Sequence, residues 1–133
     1  MKKNVFIDGE IGTTGLQVHE KLKKHPNINI LPVNQDKRKD LDYKKEMFEA
    51  SDVSFLCLPD DGAIEAVEIA NNLGNKSPII IDASTAHRTN IDWAYGLPEL
   101  GLNFRKKLMN SKRIAAPGCY STGANVILKP LLE

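Results

Sequence analysis

The sequence predicts an α/β fold, a doubly wound parallel sheet, on three observations. Short β-branched, apolar runs alternate with helix-period segments along the whole chain. The first of these runs ends in a glycine-rich turn that opens into a helical segment. The runs at 53–59 and 78–82 are almost wholly apolar, the mark of strands covered on both faces.

Bulk properties bound the reading. A chain of 133 residues can bury one real core. With 41% hydrophobic and 26% charged residues it has an ordinary globular composition. A formal net charge of +1 gives no reason to expect a nucleic-acid or membrane-surface partner. The apolar run after Met1-Lys2-Lys3 is too short for a signal core or a membrane span. The two cysteines sit far apart in different contexts, which does not suggest a disulfide. A cytoplasmic protein without a metal site is expected.

Residues 4–8 form the first expected strand. Gly9-Glu10-Ile11-Gly12-Thr13-Thr14-Gly15 follows, and then a helix with Leu16, Val18 and Leu22 facing inward and His25-Pro26 stopping it. Strand, glycine-rich turn and helix is the context in which backbone N–H groups cradle a pyrophosphate. The G-x-x-G-x-x-G spacing is also compatible with a purely structural turn. Residues 28–33 form the second expected strand, which ends in Val33-Asn34-Gln35, with Asp36 slightly late for the carboxylate that suits a ribose 2′-hydroxyl. Lys37-Arg38-Lys39 follows, and such a cluster suits a 2′-phosphate, with Arg38 the expected contact; the alternative is a solvated charge run.

Residues 42–50 read as a short helix with Met47 and Phe48 inward. In the strand at 53–59, Cys57 reads as a small buried hydrophobe. Asp60 or Asp61 is expected to cap the next helix, whose inner face is Ala63, Ala66, Val67, Ala70 and Leu73 and which ends at Gly74-Asn75. The strand at 78–82 leads into Ala83-Ser84-Thr85-Ala86-His87-Arg88. Ligands of open parallel sheets bind beyond the carboxyl ends of strands, so Ser84 could serve an oxyanion and Arg88 could clamp a phosphate. His87 reads as a solvated loop histidine, with a catalytic base as the alternative. Residues 93–100 read as a turn-rich connection, residues around Phe104 to Leu108 as a helix, and residues 113–116 as a last strand.

Pro117-Gly118-Cys119 then presents a thiol at the start of an apolar segment, with a helix expected over 122–132. A thiolate near a helix N-terminus is stabilised by unpaired N–H groups and the helix dipole. The apolar helix, with Pro130 inside it, reads as a surface that a further domain would cover, so the chain is expected to be the front portion of a longer protein.

Five stretches in order resemble one family, the N-acetyl-γ-glutamyl-phosphate reductases of the short variant. They are residues 7–15, Leu56-Cys57-Leu58-Pro59-Asp60-Asp61, residues 81–88, Tyr95-Gly96-Leu97-Pro98-Glu99-Leu100, and residues 117–123. Aspartate-semialdehyde dehydrogenases are similar in plan but carry a different cysteine motif. The resemblance implies a Rossmann-like NADP-binding domain over 1–117, the start of a catalytic region over 118–133, and a second α+β domain largely missing. It implies NADPH-dependent reduction of N-acetylglutamyl 5-phosphate to the semialdehyde, in arginine biosynthesis, through a thioester on Cys119. Gly9, Gly12, Thr13, Thr14 and Gly15 would hold the cofactor phosphates, with Arg38, Cys57, Leu58, Pro59 and Ser84 completing the cofactor contacts. Arg88 and Ser84 would meet the substrate phosphate, and the full-length protein would be a homo-oligomer. Ala116 and Ser121 depart from the asparagine and proline common in the family. A stand-alone NADP-binding module without turnover is the alternative reading.

Overall fold

A computed structural model describes residues 1–132; Glu133, the last residue of the expected 118–133 segment, lies outside the described residues. Six parallel strands form one sheet in the order β2-β1-β3-β4-β6-β5. In chain order they are β1 (Lys3–Asp8), β2 (Ile28–Ile30), β3 (Val53–Leu56), β4 (Ile79–Asp82), β5 (Ala94–Tyr95) and β6 (Arg113–Ala115). The helices are α1 (Thr13–Leu22), α2 (Leu41–Ala50), α3 (Asp60–Asn71), α4 (Leu102–Asn110) and α5 (Cys119–Leu132). The expected doubly wound sheet is the fold observed.

The chain leaves β1 toward β2 on one side and reaches β3 on the other. This reversal opens a crevice beyond the carboxyl ends of β1 and β3. The main core lies where α2 and α3 meet the sheet: Phe6, Phe48, Leu56, Ala63, Ala66, Ala70 and Ile80 are all buried. Phe6 and Phe48 meet edge to face at 5.5 Å, a favoured aromatic geometry. The four small or branched residues of α3 lie inward as the i, i+3, i+4, i+7 spacing requires, and Leu73 packs against their edge.

Several local expectations are corrected. Leu16 is 55% exposed, because α1 meets the sheet through Gly15 instead. The second strand stops at Ile30, before Pro32, which cannot donate to a ladder. Neither Asp60 nor Asp61 caps α3; Pro59 is the N-cap, and Asp60 binds the Thr85 backbone N–H at 2.8 Å and the Thr85 hydroxyl. Cys57 lies just past β3 and is half-buried, not a core residue. The turn-rich connection contains β5, which two residues of parallel pairing with β6 define. Finally, α5 begins at Cys119, three residues earlier than its apolar pattern suggests.

Candidate active site

The crevice between β1 and β3 holds a cavity of about 610 Å³. Gly9, Gly12, Arg38, Cys57, Leu58 and Pro59 line it, so six of the ten expected cofactor residues converge. Thr13, Thr14 and Gly15 lie just behind, in the first turn of α1. Ser84 is not in the lining.

The glycines divide the work of the turn. Gly9 has a φ of +85°, and a Cβ there would come within 2.3 Å of the Cys57 carbonyl oxygen. A Cβ on Gly15 would come within 2.2 Å of the Gly9 carbonyl oxygen, so α1 packs directly on the turn. Gly12, the N-cap of α1, has space around it, its nearest neighbour being the Gly9 carbonyl at 3.4 Å. This is a cradle: two glycines close the turn, and the third leaves the helix N-terminus open to an anion. The donor set fits a dinucleotide, with Arg38 and Lys39 on the β2–α2 side.

Asp8 and Lys44 make up part of the cavity wall, and sequence reasoning missed both. Lys44 Nζ lies 3.0 Å from Asp8 Oδ2, with both side chains only 8% exposed. Among the described residues, Asp8 Oδ2 has no hydrogen-bond partner beyond this ion pair. Burial pushes the Asp8 carboxyl above its ordinary value, against the opposing pull of Lys44, and Glu65 adds to the rise. A signal existed, because Lys44 stands four residues before Phe48 and therefore shares its inward face. Burial also pushes the Cys57 thiol up to about 11, with Asp8 and Asp82 adding to it. Cys57 is thus an inert wall at neutral pH.

A second cluster stands at the ends of β4 and β6. The fully buried Asp82 carboxylate accepts the Ser84 N–H at 2.9 Å and the Ser84 hydroxyl at 2.7 Å, and it lies 2.6 Å from His87 Nδ1. His87 is 9% exposed and stacks on Trp93 at 4.0 Å. The expectation of a solvated histidine is therefore overturned: a carboxylate and an indole fix this ring. Ser84 spends its one proton on Asp82.

Arg88 emerges from this turn and reaches the cysteine loop. Its Nε donates to the Ala116 carbonyl at 3.0 Å and its Nη2 to the Ala83 carbonyl at 3.1 Å. Nη1 has no hydrogen-bond partner among the described residues and lies 2.8 Å from where a Cβ on Gly118 would stand. Cys119 is exposed at the first position of α5. The dinucleotide-type crevice and the thiol therefore stand on the same carboxyl edge of one sheet. Among the described residues no group of three or more His, Cys, Asp or Glu could hold a metal ion, and no helix is long and apolar enough to cross a membrane.

Residues 4–108 match the family described as semialdehyde dehydrogenase, NAD binding domain. The chain belongs to that family. The match ends before Cys119. All 133 residues align with N-acetyl-gamma-glutamyl-phosphate reductases, at 41% identity to that of Brucella ovis and 42% to that of Brucella canis. The chain spans 42% of the length of each. Among solved structures, aspartate semialdehyde dehydrogenase II from Vibrio cholerae superposes with a TM-score of 0.73 at 18% identity, covering 98% of this chain and 42% of the other. The Candida albicans aspartate semialdehyde dehydrogenase with NADP gives 0.69 at 17% identity, over 99% and 47%. At such identities these structures establish the fold. With family membership, a nicotinamide dinucleotide is the cofactor class of this domain.

Proposed function

We propose that this chain is the cofactor-binding, nucleophile-bearing part of an N-acetyl-γ-glutamyl-phosphate reductase that uses NADPH. The observation that carries the reading is the shared edge: the β1/β3 crevice and the exposed Cys119 thiol both lie beyond the carboxyl ends of the strands. The identity of 41–42% to reductases over every residue of the chain supports the substrate class. Arg38 and Lys39 in the crevice, with no carboxylate at the end of β2, favour the 2′-phosphate of NADP over NAD.

In this reading Cys119 Sγ attacks the acyl carbon of N-acetylglutamyl 5-phosphate, and the carbon–oxygen bond to phosphate breaks, leaving a thioester and free phosphate. When bound, the nicotinamide cofactor would supply the hydride that the acyl carbon of that thioester takes up. The carbon–sulfur bond then breaks, releasing the semialdehyde and restoring the thiolate. Gly12 and the start of α1 would hold the cofactor phosphates, and Arg88, whose Nη1 lies beside Gly118, would meet the departing substrate phosphate. The 117–118 turn keeps Sγ at the positive end of α5.

Calorimetric titration tests the cofactor half: NADPH should bind the 133-residue chain more tightly than NADH, and Arg38→Ala should remove the difference. The chemistry is tested in the protein at the length of its relatives, by phosphate-dependent reduction of NADP with N-acetylglutamate semialdehyde. Cys119→Ala should abolish turnover while leaving NADPH binding intact. Equal loss of both would overturn the role of Cys119. Binding by this chain with no turnover at full length would favour a stand-alone module.

A further inference from the structure

We infer that Tyr95 is a positioning residue for Cys119, acting through Ser121 on the carbonyl of Gly118. The inference rests on Cys119 being the nucleophile proposed above.

No residue of α5 is buried, so no core packing decides where its first turn sits among the described residues. Its packing is mainly partial contact with residues 98–100, so local tethers have a large share in placing that turn. Gly118, immediately before Cys119, offers a carbonyl that accepts three donors: the Thr122 N–H at 2.9 Å, the Thr122 hydroxyl at 2.7 Å and the Ser121 hydroxyl at 3.0 Å. The two bonds from Thr122 lie within the helix and move with it. The Ser121 hydroxyl is different, because Tyr95 OH lies 3.0 Å from Ser121 Oγ.

The directions of the protons follow from the chemistry. A serine hydroxyl has one proton, and Ser121 gives it to the Gly118 carbonyl, so the Tyr95 hydroxyl donates to Ser121. Tyr95 belongs to β5, and its pairing partner in β6 is Ala115, at the entry to the cysteine loop. The neighbouring Gly96 presses close, since a Cβ there would come within 3.0 Å of the Ala115 carbonyl oxygen and 3.4 Å of Pro117 Cδ. Tyr95 therefore closes a ring: β5, the end of β6, the 116–118 turn, the first turn of α5, and back to β5. Arg88 holds the loop at Ala116, upstream of Pro117, and the Tyr95–Ser121 pair holds it at Gly118, downstream. First helical turns fray readily, and the stabilisation of a thiolate by the dipole falls off within that turn. Without the tether, Sγ spends time off the N-terminal axis and loses nucleophilicity.

The test measures alkylation by iodoacetamide at pH 8 in the 133-residue chain, with each cysteine followed separately by peptide-resolved mass spectrometry. Cys57, half-buried and with its thiol pushed up to about 11, is an internal reference for general loosening. Tyr95→Phe and Ser121→Ala should each slow Cys119 about threefold and leave Cys57 unchanged. The double variant should lose no more than either single one, because both break the same tether. Ser121→Thr keeps the hydroxyl and should restore the parent rate. An unchanged Cys119 rate in both single variants overturns the inference, as does additive loss in the double. A rise at Cys57 in Tyr95→Phe would show general loosening there; Ser121→Ala, at a half-buried position of the first turn of α5, then decides, and an unchanged Cys119 rate in it overturns the inference. Alkylation needs no substrate, so a normal result here with no turnover at full length would sink the reductase reading alone.

Discussion

The Arg88 guanidinium and the Ala116 carbonyl are joined at 3.0 Å across 28 residues of sequence, tying the loop after β4 to the loop that carries Cys119. A second arm of the same guanidinium takes the Ala83 carbonyl at 3.1 Å. The planar fork thus spans two strand ends that the sheet already places side by side. Ala116 donates in turn to the Asp82 carbonyl at 2.8 Å, so the contact extends the β4–β6 ladder beyond its last residues.

Arg88→Met should therefore lower stability by about 2 kcal/mol, since two carbonyls lose charge-assisted donors. Arg88→Lys should recover part of that, a single ammonium being unable to reproduce the fork. Urea denaturation midpoints check the order parent, lysine, methionine. Equal stability of all three would show that water replaces the guanidinium without cost.

The glycines of the turn should separate by role. Gly9→Ala and Gly15→Ala should each cost about 2 kcal/mol or more, one through positive φ and contact with Cys57, the other through contact with Gly9. Gly12→Ala meets only one atom, at 3.4 Å, and should cost less than about 1 kcal/mol. On the proposed cofactor placement at Gly12, NADPH affinity should nevertheless drop severalfold in Gly12→Ala, because a methyl group would stand in the path of the phosphates. Thermal unfolding and calorimetric titration of the three variants read the two effects apart.

Removing Lys44 should be among the costliest single changes. Lys44→Met leaves the Asp8 carboxylate buried without its counter-charge, a loss of about 3–5 kcal/mol. The double change Asp8→Asn, Lys44→Met should recover most of it. The Asp8 carboxyl is raised above its ordinary 3.8, so the folded state holds that proton more tightly than the unfolded state. Its contribution is full below that value and is lost as pH rises through the raised one. Lys44 opposes the rise, so in Lys44→Met the stability should fall more steeply as pH climbs above about 4. Denaturation curves from pH 3 to 7 check the sign.

At the alkaline end Cys57 should dominate. Its thiol is pushed from 9.0 up to about 11, mainly by desolvation, so the folded state again binds the proton more tightly. Stability from this group is intact below 9 and is lost as pH rises toward 11. Cys57→Ala should flatten that part of the pH profile, measured by denaturant titration. A profile as steep as the parent's would assign the alkaline loss to other groups.

Much of this protein was legible in its sequence because the relevant forces act over a few residues. Apolar periodicity marked β1, β3, β4 and the inner face of α3. The glycine spacing marked the turn at 9–15, and Pro117-Gly118 marked the presentation of Cys119. These patterns record local propensity and one-sided burial, which neighbouring residues dictate. The tertiary structure decided what lies opposite each of those residues. Lys44 faces Asp8 only because α2 folds back over the end of β1. His87 is fixed between Asp82 and Trp93 because the loop after β4 closes on itself, a contact that spacing alone does not announce. Tyr95 reaches Ser121 because β5 pairs beside β6, through two residues too few to show any strand period. Such pairings depend on the order of strands in the sheet, and that order is a property of the whole chain's packing.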